Sequence, residues 1–467
     1  MFVKNRSELT DLGRTQEEKK IIIELIELTN FILTEAQPSN LMSSAICASK
    51  EKLVVSNKEF KLNQFHNLFL IAFGKASQKM ARWFLEIVPK YFSRIIIVSP
   101  DIMDEFFRTY TNVSFYQGGH PKPTKQSVQA AEEVISLLLE TTKADFCIFL
   151  VSGGGSALLE QPDYDVSFDD YVSLVDLLLS SNASIQEINT IRKHFSKVKG
   201  GKLAQLTQAK IISIILSDVL GNDISSIASG PTAPDTTTWN DCEKIFSNHS
   251  LLARIPESVL GILSKGLKSE ISDTPSKKEL FEHVKNYIVG DNLMLQSLLQ
   301  DFLCSKGNSK ILNDTMIGES RDVGQNFANQ INLLVGDLEN KSSDTVQSTF
   351  YRIFGGETTV TLSFLNGRGG RNQELALSFA LSLEKDTSVY LLSLGTDGID
   401  GNSDAAGAII GPFTLDDPSK IETARKALAE NNSNSFFKKH GGEIITGYTG
   451  TNLMDVGVIV FNKKLPH

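Results

Sequence analysis

A chain of 467 residues exceeds what one hydrophobic core supports, so two or three domains are expected. Its 41% hydrophobic and 22% charged residues describe an ordinary globular protein, and 55 acidic against 46 basic side chains exclude a general nucleic-acid binder, which needs a basic face. Cys47, Cys147, Cys242 and Cys304 lie far apart with no CxxC pair, which excludes a disulfide framework or a zinc site and fits a reducing cytoplasm.

The first segment, MFVKNRSELTDLGRTQEEKK, is polar and lacks the apolar core of a signal peptide, and no later run approaches a membrane span. A cytoplasmic protein with no membrane and no nucleic-acid partner is therefore expected. From residue 68, short apolar runs alternate with longer helical patterns: LFLIAF at 68, RIIIVS at 94, DFCIFLV at 145 and IISIIL at 211. This alternation predicts a parallel sheet wrapped by helices. The polar, apolar-poor stretch Lys265 to Glu279 reads as a linker, dividing the chain into domains 1–270 and 271–467. Beyond it come NYIVG, KILND, YRIFGG, TTVTLSF, SVYLLSLG, GEIITG and VGVIVF. YRIFGGETTVTLSF reads as a hairpin, so the second half is expected to hold a mixed sheet.

Each strand of the first half leads into a loop rich in glycine and polar residues. LFLIAF runs into Gly74, Lys75, Ala76 and Ser77, DFCIFLV into SGGGS at 152, and IISIIL into SDVLGN at 217. In the second half YRIF leads into Gly355, Gly356 and Glu357, and VYLLSL into GTDGIDGNSD at 395. Open α/β sheets bind ligands outside the carboxyl ends of their strands, so loops from both halves imply a cleft between two domains.

SGGGSALL, residues 152–159, lacks the lysine of a P-loop and fails both GxGxxG and GxSxG, because Leu158 stands where the last glycine belongs. Three glycines after a buried strand can still form an anion-binding nest. INTIRKHFSKVKGGKLAQL, residues 188–206, carries Arg192, Lys193, Lys197, Lys199 and Lys202 with no acid among them, and in an acidic protein this favours an anionic ligand. His194 reads as a surface residue. Lys75 and Asp218 each emerge at a strand end. Asp397, Asp400 and Asp404 share one glycine-rich loop whose spacing fails the EF-hand pattern and suits Mg²⁺ better than Ca²⁺. NGRGGRNQELALSFALSL, residues 366–383, starts a helix through Gly367, Gly369 and Gly370, with Asn372 as the expected N-cap. Its free backbone N–H groups and dipole are suited to hold an anion. Glycine loops, scattered cations, carboxylates suited to Mg²⁺ and no cysteine or histidine nucleophile are the set that phosphoryl transfer needs.

FGKAS, GGHPKPT, LVSGGGSALL, INTIRKHFSKVKGGKLA, LSDVLGNDISSIASGPTAPD, GGETTVTL, GRGGRNQELAL, GTDGIDGNSDAAGA and TGYTGTN occur in order from about residue 70 to 455. Together they resemble the glycerate 2-kinases of the MOFRL type. The resemblance implies an α/β protein with a Rossmann-like parallel-sheet N-terminal domain, a mixed α/β C-terminal MOFRL domain, and an active site in the cleft between them. It implies transfer of phosphate from ATP, with Mg²⁺, to the 2-hydroxyl of D-glycerate, giving 2-phosphoglycerate. Lys75, Asp218 and Arg371 match the family's catalytic or phosphate-contacting positions. Nucleotide contacts are then expected from Ser152, Gly153, Gly154, Gly155 and Ser156 and from Lys199, Gly200 and Gly201. Substrate contacts are expected from Arg192, Asn372 and Gln373, and metal contacts from Asp397, Asp400 and Glu357. The resemblance admits a homodimer, and an N-terminal helix packed on the other domain. Two positions depart from the pattern, where the family commonly has proline: Tyr448 in TGYTGTN, and Asn402 in GNSD. The segment before Phe69 matches none of its motifs. Alternatives are a kinase for a related hydroxy acid, hydroxypyruvate or tartronate, and a non-catalytic sensor of an anionic metabolite.

Overall fold

Phe146–Val151 is apolar at every position, and all its residues are buried. A strand with no polar face must be covered on both sides, which is the condition of a parallel sheet between helical layers. The computed structural model describes residues 1–49, 51–88, 92–340, 349–363, 366–384 and 388–462, and places this strand inside a six-stranded sheet. From one edge the strands are Val113–Gln117, Phe92–Ser99, Leu68–Phe73, Phe146–Val151, Lys210–Leu216 and Val284–Gly290. Pairing is parallel, with Leu70 opposite both Ile95 and Ile148, and Ile148 opposite Ile212. In chain order the sheet reads 3-2-1-4-5-6, the doubly wound order, and it reverses between Leu68–Phe73 and Phe146–Val151. The helix Lys125–Glu140, started by a capping box of Thr124 and Ser127, contributes Ala130, Val134 and Leu138 to the same core as Ile71, Phe149 and Ile211.

NYIVG lies in Val284–Gly290, the outermost strand of this first sheet rather than the opening of the second half as the sequence suggested. The compact units are accordingly Leu41–Val289, and Met1–Asn40 together with the chain from Gly290 onward. The expected boundary at 270 falls inside the first of these. Its polar stretch is no linker. Asp273 accepts from the Trp239 backbone N–H at 2.7 Å, Ser272 from the Trp239 indole at 3.1 Å, and the Thr274 hydroxyl donates to Asp235 at 2.7 Å. The stretch is polar because its groups are spent on the surface of one unit.

The second unit holds the strands Asn308–Met316, Thr349–Gly356, Asp455–Asn462, Val389–Gly395, Gly407–Ile410 and Glu443–Ile444, in that spatial order. The first two pair in parallel and the rest antiparallel, so the sheet is mixed. The expected hairpin does not form: residues 358–363 make no strand, and Thr349–Gly356 pairs instead with Asn308–Met316 and Asp455–Asn462. Gly356, at φ 136, turns the chain out of the sheet, and Thr361 is then held by Glu319. The helix Gln16–Glu35 belongs to this unit, where Glu24 accepts from the Tyr351 hydroxyl at 2.8 Å and Phe31 stacks on Phe302. Among the described residues no helix is long and apolar enough to cross a membrane.

Candidate active site

Two loops meet at the reversal point of the first sheet. Gly74, at φ 125, has no room for a side chain, since a Cβ there would lie 2.2 Å from Ser152 Oγ. The Lys75 N–H donates to the Gly153 carbonyl at 2.8 Å, and the Ala76 N–H to Ser152 Oγ at 3.0 Å. These contacts fix the loop after Leu68–Phe73 to the loop after Phe146–Val151. Ser152 thereby joins the two loops. Among the described residues the N–H groups of Gly153 and Gly154 meet no acceptor, which suits an anion cradle.

Three side chains face these two glycines. A Cβ on Gly153 would lie 1.9 Å from Asp218 Oδ2. One on Gly154, at φ 80, would lie 2.8 Å from His120 Cδ2 and 3.2 Å from Lys75 Cγ. Lys75, Asp218 and the Gly153–Gly154 pair, expected as one site, are therefore together. His120 was missed, although GGHPKPT contains it. The His120 residue keeps exposed surface, yet its ring is held neutral: burial first, then the charges of Lys75 and Arg192, push its pKa down to about 4. Gly155 packs against Ala228, and the Ser156 hydroxyl shares a 2.7 Å hydrogen bond with Ser229, which also donates to Asn189. Ala228 and Ser229 hold positive φ, 50 and 58, a strained pair on the margin of the cradle.

The basic segment 188–206 is differently built from what its charge suggests. Glu160, fully buried, accepts from the Tyr171 hydroxyl, from Ser196 at 2.5 Å and from Lys199 at 2.7 Å, with Arg192 at 3.8 Å. Lys193 pairs with Asp235 and Lys202 with Asp163, both at 3.1 Å. Four of the five cations thus have acidic partners from outside the segment. Burial pulls the Lys199 ammonium down to about 8 against the attraction of Glu160. Lys199 is a counter-ion inside the unit rather than a nucleotide contact. Gly200 and Gly201, at φ 57 and 79, donate their N–H groups to the Ser229 and Gly230 carbonyls, so they too are structural. His194 is buried, not a surface residue, with Nδ1 on the Thr190 carbonyl at 2.9 Å and its ring against Trp239. Arg192, also buried, donates to the Ser156 carbonyl at 2.6 Å and so backs the cradle.

In the second unit the helix Arg371–Ser382 does hold an anion at its start, and the anion is the protein's own. Asp400 Oδ1 accepts from the Asn372 N–H and Oδ2 from the Gln373 N–H, both at 2.9 Å. Gly370 occupies the N-cap position without a side chain, so Asp400 caps the helix from a distant loop and Asn372 is not the N-cap. Burial raises the Asp400 carboxyl to about 6 against those hydrogen bonds. Arg371 grips the buried Asp455 with Nε at 2.5 Å and Nη2 at 3.1 Å, and pairs with Glu357 through Nη1. Burial drives Asp455 up, to about 7, opposed by Arg371 and Asn372. The Asn372 amide bridges Asp400 and Asp455 and accepts from Ser393, and the Gln373 amide reaches Ser403 at 3.4 Å. Asn372 and Gln373 are therefore helix-start scaffold, not groups presented to substrate. Asp397 accepts from the Ile399 N–H at 3.1 Å, while Asp404 pairs with Arg368 at the surface.

Asp397, Asp400 and Glu357 do not fit a metal site as a set. The Asp400 oxygens are spent on backbone N–H groups and Glu357 is held by Arg371, and among the described residues no three His, Cys, Asp or Glu side chains are grouped to hold an ion.

Residues 24–264 match the family described as a domain of unknown function, DUF4147, and residues 350–455 match the MOFRL family. The chain is 34% identical over 444 residues to a glycerate 2-kinase of Pyrococcus horikoshii, covering 94% of this chain and 97% of that one. It is 36% identical over 410 residues to a D-glycerate 2-kinase of Thermotoga maritima, covering 86% and 92%. The crystal structure of a glycerate kinase from Thermotoga maritima superposes with a TM-score of 0.78 at 31% identity, over 95% of this chain and all of that one. The motifs, the doubly wound first sheet, the mixed second sheet and these likenesses agree, and the chain belongs to the glycerate kinase family of the MOFRL type.

Proposed function

We propose that this protein is a glycerate 2-kinase, transferring the γ-phosphoryl group of ATP to the 2-hydroxyl of D-glycerate. The observation that carries the reading is the meeting of Lys75, Asp218 and the Gly153–Gly154 backbone at the reversal point of the first sheet. Phosphoryl transfer spreads negative charge over oxygens, and a cradle of N–H donors with a positioned ammonium stabilises that charge. Asp218, whose carboxylate lies against Gly153, is assigned to orient the acceptor hydroxyl and take its proton. Arg192 holds the cradle from behind. Arg371, oriented by Asp455 and Glu357 with part of its side chain exposed, is assigned to hold the phosphoryl group or the glycerate carboxylate by paired hydrogen bonds. Mg²⁺ is expected to travel with the nucleotide phosphates, as it does where a protein offers few carboxylates. The protein is expected to work in the cytoplasm and admits a homodimer.

Coupled ADP release, measured with D-glycerate, hydroxypyruvate and tartronate, tests the reading. D-glycerate is expected to give the highest kcat/KM. Preference for one of the other acids would move the substrate assignment, and tight glycerate binding without ADP release with any acid would make the protein a sensor instead.

A further inference from the structure

His120 stands on the loop that follows Val113–Gln117, the edge strand of the first sheet. To reach Gly154, beyond the fourth strand, that loop crosses three strand spacings, roughly 14 Å. The crossing is built for the purpose. The Gly118 N–H donates to the Ser99 carbonyl at 2.9 Å, tying the loop to the neighbouring strand end. A side chain at Gly118 would meet Leu158 Cδ2 at 2.9 Å, so the chain passes flush against the segment that follows the glycine cradle. A Cβ on Gly119 would lie 2.3 Å from the Lys122 carbonyl, which folds the loop tightly behind His120. The Thr124 and Gly119 N–H groups both donate to Ser127 Oγ at the head of the next helix, anchoring the far end. The residue delivered by this loop keeps exposed surface, and its ring lies over Gly154 beside Lys75. His194, by contrast, is enclosed, with Nδ1 on the Thr190 carbonyl.

We propose that His120 is a catalytic residue that donates a hydrogen bond from its ring to an oxygen of the transferred phosphoryl group. The inference rests on the kinase reading of the same cradle. In the step, the 2-hydroxyl oxygen of the acceptor forms a bond to the γ-phosphorus and gives its proton to Asp218. The bond from γ-phosphorus to the bridging oxygen breaks, and ADP leaves with that electron pair. His120 gains and loses no proton. It serves as a fixed donor, and Lys75 supplies the positive charge.

His120→Ala and His120→Asn, compared with wild type by ADP release, form the test. Loss of one donor to a developing anion predicts that His120→Ala lowers kcat by about 10²- to 10³-fold, with the KM for the acceptor changed by less than roughly threefold. His120→Asn, which keeps a donor, is expected to recover at least about tenfold of that loss. A change in KM alone, or an asparagine variant no better than alanine, overturns the proposal. Ring-nitrogen NMR with Mg²⁺ and a non-hydrolysable ATP analogue separates this failure from failure of the kinase reading. The resonance missing in His120→Ala is expected to shift on adding the analogue whichever acid is the acceptor, and an unmoved resonance overturns the proposal even if D-glycerate is phosphorylated.

Discussion

Gly153→Ala places one methyl group between the cradle and Asp218. The new Cβ would start 1.9 Å from Asp218 Oδ2 and 2.6 Å from Cγ, while ordinary contact begins at 3.4 Å, so the carboxylate oxygen must retreat by about 1.5 Å. The clash is with the end of a side chain that can rotate, and Gly153 is not at positive φ, so the backbone tolerates alanine. Stability should change little, because relief of unfolded-chain entropy contributes about 0.4–1 kcal/mol in its favour. Turnover should not survive so well: a displacement of about 1 Å in a group that aligns the nucleophile costs about 10²-fold. Steady-state ADP release with D-glycerate should show kcat down by about that factor, and calorimetry should show nucleotide binding within about threefold of wild type. A variant with kcat within about threefold of wild type would refute the placing of Asp218 against the acceptor.

Glu160→Gln removes the carboxylate shared by Lys199 and Arg192, leaving two buried cations without it, and should destabilise the protein by about 3–5 kcal/mol in denaturant unfolding. A loss below about 1 kcal/mol would return those cations to ligand binding. Asp400→Asn should leave the Mg²⁺ concentration for half-maximal turnover within roughly threefold of wild type, since its oxygens cap a helix, and a larger increase would restore it to the metal. Because His120 titrates near 4, its charged form is absent at neutral pH and appears only on strong acidification, so the kcat/KM profile should show no histidine inflection between pH 6 and 8 that His120→Asn removes.

Periodicity reveals the first sheet because its strands are buried on both faces: FCIFLV and IISIIL read as unbroken apolar runs whose ends mark the functional loops. Lys75, Gly153, Gly154 and Asp218 are legible for the same reason, as residues two or three steps past such ends. What local reading missed is pairing over distance. Glu160 lies 39 residues before Lys199, so a basic segment with no acid inside it looked uncompensated. Asp400 caps a helix that starts 29 residues earlier, so a helix start designed for an anion looked vacant. NYIVG follows a polar stretch and was assigned across a boundary, because nothing local tells surface hydrogen bonding to Trp239 and Asp235 from a linker. His120 carried a signal in GGHPKPT, but only the register of the edge strand and the crossing at Gly118 reveal which glycine it reaches.

The measurement that bears most directly on the account is kcat of Lys75→Ala with D-glycerate and ATP, alongside calorimetric ATP affinity. Lys75 leaves the strand end at the reversal point, its N–H is fixed to Gly153 and its side chain lies over Gly154. If this cradle transfers the phosphoryl group, the variant folds, binds ATP nearly as wild type, and loses about two to four orders of magnitude in kcat. Retention of more than roughly a tenth of wild-type kcat would contradict the placing of the reaction at these loops.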